Sequence, residues 1–153
     1  MTMRVLVGIA LVLSACAPPL RNVEQSVRAF AQTVAHDIST EGPGAWDRHF
    51  SESPSFFMAY NGHLEFSDRA EARAKIGELR QTITHIDLKW GDDLRVDPLG
   101  ADLAVVGAPF HEVLRMVSGE VVDMTGYFTG TAERRSGRWQ FRNAHWSVPA
   151  PSR

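Results

Sequence analysis

Near residue 83 the spacing of apolar residues changes from three or four to two, which requires helices and a sheet laid down one after the other. Before the change, Val23, Val27, Phe30, Ala31, Val34 and Ile38 recur at helical spacing, and Asn22 with Gln25 makes a capping box, so a first helix is expected over 22–40. Pro43 suits a first helical turn, and Trp46 and Phe50 lie four apart, giving a short second helix. "SFFMAY" reads as a strand over 55–60 closed by the turn pair Asn61-Gly62. Asp68 with Glu71 opens a third helix carrying Ala72, Ile76, Leu79 and Ile83.

After the change, Ile86, Leu88 and Trp90 alternate with polar residues, in a strand that could run on through Leu94 and Val96 to a turn at 97–100. Three long strands follow, over 101–116, 120–132 and 138–148, parted by Ser118-Gly119 and by Arg135-Ser136-Gly137. The expectation is an α+β domain in which three N-terminal helices pack in a strongly curved antiparallel sheet. Pro109 inside a strand implies a bulge or an edge.

The N-terminus bears on location. Arg4, the apolar run from Val5 to Leu13 and the small residues after it form a secretory signal, too short to span a bilayer as a mature anchor. Leu13-Ser14-Ala15-Cys16 looks like a bacterial lipobox ending in the chain's single cysteine. The domain reading is therefore 1–15 as lipoprotein signal peptide, 16–21 as lipidated Cys16 and tether, 22–149 as the folded domain and 150–153 as a tail. Lipid on Cys16 would hold the domain to a leaflet of the cell envelope, and Ala17 after the cysteine points to the outer membrane facing the periplasm. A lone thiol makes no intrachain disulfide.

Removing residues 1–15 takes away one of 16 basic residues and none of 18 acidic ones, moving the net charge from -2 to -3. Nothing in that balance attracts nucleic acid. The six histidines include no His-x-x-x-His pair, so no metal is expected, and no motif asks for a cofactor.

With strict alternation, Trp139, Phe141, Asn143, His145 and Ser147 share one face of the last strand. That face passes from core aromatics to polar groups, as a core opening into a pocket would. In the strand over 101–116, Glu112 interrupts the row Ala104, Val106, Ala108, Phe110 and Leu114. If the row looks inward, Glu112 beside His145 forms an acid/base or ligand-orienting pair; if outward, the reading preferred here, it is a solvated strand residue.

The element order, "SFFMAYNG" leading into a helix at "SDRAEARAKIG", and the closing "GRWQFRNAHWS" resemble the NTF2-like superfamily, specifically its bacterial SnoaL-like and DUF4440-type members. The likeness covers about Val23 to Val148. It implies a cystatin-like cone, helices closing over a bent sheet with a pocket at the open end, and dimerisation through the sheet's outer face. Fold carries over further than function. Aligned on Gly62, the base of the steroid isomerases of this fold falls at about Ala59, and their oxyanion donors near Phe30 and Thr129, so that chemistry has no residues here. Arg95-Val96-Asp97 spells the epoxide-hydrolase motif but lies a strand too early.

The candidate ligand-binding residues are Phe57, Tyr60, Trp90, Glu112, Phe141, Asn143 and His145, with His145 the candidate catalytic base. They support a tethered domain that binds a small, largely apolar molecule or an assembly partner without turnover. The alternatives are a SnoaL-like isomerase, cyclase or dehydratase using His145, and a purely structural homodimerisation module.

Overall fold

A computed structural model describes residues 20–149. Cys16, the signal segment 1–15 and the tail 150–153 lie outside the described residues. Helix α1 (Leu20–Glu41) buries the stripe read from the sequence, together with Ala35. It is helical from Leu20, so Asn22 lies within it rather than at a cap. A 3-10 turn at Pro43–Ala45 leads into α2 (Trp46–His49), which buries Trp46. Strand β1 (Phe57–Tyr60) turns at Asn61 and Gly62, both at positive φ, into β2 (His63–Phe66). Asn-Gly is the pair that such a two-residue turn favours. The strand β2 was not expected, because "HLEF" is short and buries only Phe66. Helix α3 (Arg69–Thr82) starts as foreseen, with the Asp68 carboxylate accepting from the Glu71 N–H at 2.9 Å.

The sheet continues with β3 (Ile83–Trp90), β4 (Arg95–Pro98), β5 (Leu103–Met116), β6 (Val121–Arg135) and β7 (Arg138–Ser147). Ile83 thus opens β3 instead of closing α3. The strand order is β2-β1-β7-β6-β5-β3, with β4 paired to β5 beside β3. The sheet is mixed rather than antiparallel, because β1 runs parallel to β7, from Phe57 opposite Asn143 to Tyr60 opposite Trp146. Pro109 causes no bulge: the β5–β6 register runs unbroken through Pro109 opposite Tyr127. On its other side β4 ends at Gly107 and β3 begins at Phe110, so the missing N–H falls in the gap between them.

One irregularity decides which side chains face the helices. Thr131 of β6 pairs with Asn143 while its neighbour Ala132 pairs with Phe141, so Arg142 is an extra residue in β7. It sits where the other flank of β7 changes partner, from a bridge between Phe50 and Phe141 to the β1 ladder beginning at Asn143. An extra residue inverts the alternation beyond it. Phe141 and Ala144 are both buried, three positions apart.

Three polar contacts pin α1 to the sheet: Trp90 Nε1 donates to the Ala31 carbonyl at 2.7 Å, Leu88 N–H to Ser39 Oγ at 2.9 Å, and Trp139 Nε1 to Ser26 Oγ at 3.0 Å. Arg69 ties α3 to α2 and the segment after it. The residue is 7% exposed, and its guanidinium lies over the rings of Phe50 and Phe56 and donates to Asp47 Oδ1 at 2.7 Å, the Asp47 carbonyl at 2.9 Å and Glu52 Oε1 at 3.1 Å. Arg73 approaches the same two carboxylates from an exposed position. Arg69→Ala removes both packing and charge-assisted hydrogen bonds, and is expected to lower unfolding free energy by roughly 2–3 kcal/mol. Arg73→Ala is expected to cost under about 1 kcal/mol. Urea unfolding of the two variants checks the contrast, and equal losses would refute it.

Candidate functional site

The inner row of β5 faces the helices. Ala104, Val106, Ala108 and Phe110 are buried, and Glu112 and Leu114 continue the row into a cavity of about 290 Å³. Its wall is aromatic: Trp46 from α2, Phe50 after it, Tyr60 from β1, Phe66 from β2, Phe110 from β5 and Trp146 from β7. Ile76 and Leu79 of α3, Ile83 and Ile86 of β3 and Met124 of β6 close the remainder. Trp146 stands edge-on to Trp46 at 5.6 Å and to Phe128 at 5.2 Å. Phe110 can lie across β6 because its partner there is Gly126; a Cβ at that position would collide with the Phe110 ring and the Ser147 carbonyl.

Glu112 is the polar group of the inner wall. It pairs with Leu88 on one side and Met124 on the other, and no hydrogen-bond donor among the described residues reaches its carboxyl. Burial pushes that carboxyl up from an ordinary 4.5 to about 7. The preferred solvated reading of Glu112 is therefore corrected, because its row faces inward.

The other expected site residues divide. Tyr60 and Glu112 share the cavity. Asn143 and His145 do not share the face of Phe141, because the extra residue Arg142 turns them to the outer side of the sheet. There they line a shallow depression of about 260 Å³ with Phe57, Val105 and Thr129. His145 accepts a long hydrogen bond from the Gly62 N–H, 3.4 Å, and cannot pair with Glu112 through the sheet. Phe57 is 44% exposed on that same face. Phe141 is completely buried, packed between Phe30 and Phe128 at 4.9 Å from each. Trp90 is occupied by its bond to Ala31 and its contact with Phe128; it borders an open groove of about 710 Å³ beside Ser147–Pro149, not the cavity. Trp146, Phe110, Phe66 and Glu65 were missed. Trp146 could have been found only by allowing the alternation of β7 to slip.

A second titratable cluster lies away from the cavity. His49 is buried against the Phe30 ring, with Nε2 2.9 Å from Asp37 Oδ2, and Arg48 spans Asp37 and Glu41. Burial depresses the imidazole below its ordinary 6.5 despite the hydrogen bond to Asp37. Desolvation would raise the Asp37 carboxyl, but Arg48 and His49 together hold it below 3.8. This cluster joins α1 to α2. Among the described residues no group of three or more His, Cys, Asp or Glu could hold a metal ion, and no helix is long and apolar enough to cross a membrane.

No protein-family model matches the sequence, and no curated protein matches it. Solved structures do match: an NTF2-like superfamily protein from Salmonella enterica serovar Typhimurium superposes with a TM-score of 0.73 at 17% identity, over 88% of this chain and 96% of the other. The chain has the NTF2-like fold. A candidate scytalone dehydratase from Novosphingobium aromaticivorans gives a TM-score of 0.73 at 11% identity, over 86% of each chain. A hexachlorocyclohexane dehydrochlorinase, LinA type 2, gives 0.63 at 12%, over 84% of this chain and 90% of the other. At such identities the NTF2-like likeness bears on fold alone.

The raised Glu112 pKa has a stability consequence. Between about pH 4.5 and 7 the folded protein holds a proton that the unfolded chain has released, so this group's contribution is full below 4.5 and is lost as pH rises through about 7. The loss amounts to roughly 3 kcal/mol. Glu112→Gln keeps the shape without the ionisation. Its advantage over the parent is expected to grow from near zero at pH 4.5 to as much as roughly 3 kcal/mol at pH 8 in urea unfolding. His49, depressed in the fold, acts oppositely by weakening the protein as pH falls below 6.5, but it is common to both proteins and cancels in the difference. A gap that does not change with pH would sink the assignment.

Proposed function

We propose that this NTF2-like, SnoaL-like domain is a small-molecule receptor whose cone cavity takes up a compact, largely apolar ligand, with Glu112 as the polar anchor. The observation that carries this reading is the aromatic cavity of about 290 Å³ holding a carboxyl with no protein partner. The carboxyl is half-buried among aromatic and aliphatic side chains, and the hydration it loses there costs stability unless a ligand offsets it. The size is at the small end for ligand cavities. Glu112 takes the place first given to His145, and Tyr60 remains at the same wall. The lipobox reading of Cys16 adds location: the receptor would hang by lipid from the outer membrane into the periplasm.

A second reading is turnover. A carboxyl with a pKa of about 7 holds and releases a proton at neutral pH, as a general acid or base must. A candidate scytalone dehydratase and a hexachlorocyclohexane dehydrochlorinase are among the similar structures, and Glu112 would be the proton-handling group of an elimination here. Assembly is a further role for the outer face, where Phe57, Val105 and Tyr127 are exposed and could meet a second copy.

Native mass spectrometry of the domain from Ala17, purified gently from periplasm, is expected to show a mass excess that is lost on denaturation. Met124→Trp, which directs an indole into the cavity, should reduce the occupied fraction at least tenfold while leaving the thermal midpoint within a few degrees. Equal occupancy in both proteins would place the ligand elsewhere.

A further inference from the structure

The lining of the cavity says what charge its ligand carries. Apart from Glu112, the charged side chain on the wall is Glu65 at the exposed strand β2, and among the described residues no lysine, arginine or histidine lines it. Of the basic groups near it, Arg69 is already engaged, paired with Asp47 and Glu52 behind Phe50, and Arg80 of α3 lies exposed against Gly44, outside the lining. An acidic ligand would therefore meet two acidic side chains and no counter-charge. The aromatic rings add to the preference, because a ring face attracts a cation and repels an anion.

We infer that the ligand is a lipophilic cation, an alkylated or quaternary ammonium with an apolar body, whose charged head sits against Glu112 within the aromatic wall. The inference rests on the cavity being the binding site. An ammonium is the complement of a carboxylate among π faces, and its alkyl groups satisfy Ile76, Leu79, Ile86 and Met124, which a hydrated inorganic cation could not do. Binding such a head favours the ionised carboxyl, so a proton leaves Glu112 as the cation arrives. Affinity should then rise with pH through about 7 and level off above it. The titratable groups on the wall facing Glu112 are Tyr60 from β1 and Glu65 from β2; α2 and α3 contribute Trp46, Ile76 and Leu79, and the charged Arg80 of α3 lies exposed beside Gly44 at the edge.

The test is displacement of the uncharged dye N-phenyl-1-naphthylamine from the purified domain at pH 8. The competitors are benzyltrimethylammonium and its neutral isostere neopentylbenzene. The cation is expected to displace at least tenfold more effectively. That advantage should shrink between pH 8 and pH 6, and should disappear in Glu112→Gln when each competitor is compared against that variant's own measured dye affinity. Neopentylbenzene matching or surpassing the cation would overturn the charge assignment while leaving the cavity as an apolar site. A cation preference that survives Glu112→Gln would overturn the role of Glu112. Failure of the dye to bind, or dye binding undiminished in Met124→Trp, would instead overturn the cavity reading on which the inference stands.

Discussion

The extra residue in β7 is the constraint on which the rest of the molecule depends. Up to Phe141 the strand serves the closed end of the core, where Trp139 reaches Ser26 and Phe141 fills the space between α1 and β6. Beyond Arg142 the alternation is inverted, and Ala144 and Trp146 turn toward the helices. Ala144 faces Gly130 across the ladder, a small pair that leaves the Phe128 ring its place, and Trp146 becomes the cavity wall. The same step frees a flank of β7 for β1, and Asn61 then ties the hairpin turn to Trp146 and Val148. Without the bulge the polar pair Asn143 and His145 would point into the cone, and the indole would point out of it.

Arg69 and Glu112 are both drawn among aromatic side chains in this fold, and their treatment differs. Arg69 sits between aromatic rings with two carboxylates and a carbonyl receiving protons from its Nε and Nη2, while its buried Nη1 has no partner; the arrangement holds α3 against the segment from Asp47 to Glu52. Glu112 has the apolar surroundings without the partners. A fold selected for rigidity alone would place an apolar residue there, continuing the row of Ala108 and Phe110. The asymmetry separates a charge that builds the scaffold from one the scaffold keeps available.

The helices and the long strands were legible because their signals are local. The stripe from Val23 to Ile38, the Asp68 cap and the alternation of β5 each follow from periodicity within one element. The parallel pairing of β1 with β7 was not, because it joins residues more than eighty positions apart and leaves no local trace. Pro109 misled for a related reason: whether its missing N–H matters depends on where β3 and β4 stop, which is a property of the neighbours. For the site, Tyr60 and Glu112 were found as candidates, whereas Asn143 and His145 were assigned to the wrong face by one residue of slip. A bulge has no compositional signature in "FRNAH", so strict alternation was the only rule available and it failed at Arg142.

The parallel β1–β7 pair also sets an order of events. β1 is made early but cannot take its place until β7 exists, and β7 is the last strand of the described chain. Long-range pairings of this kind form late and slowly, because the intervening loop must close before any contact rewards it. A chain emerging N-terminus first would carry α1, α3 and the β5–β6 hairpin with Tyr60 and Glu65 still undocked. The cavity is therefore completed only when the final strand arrives, and until then the chain has no finished binding site.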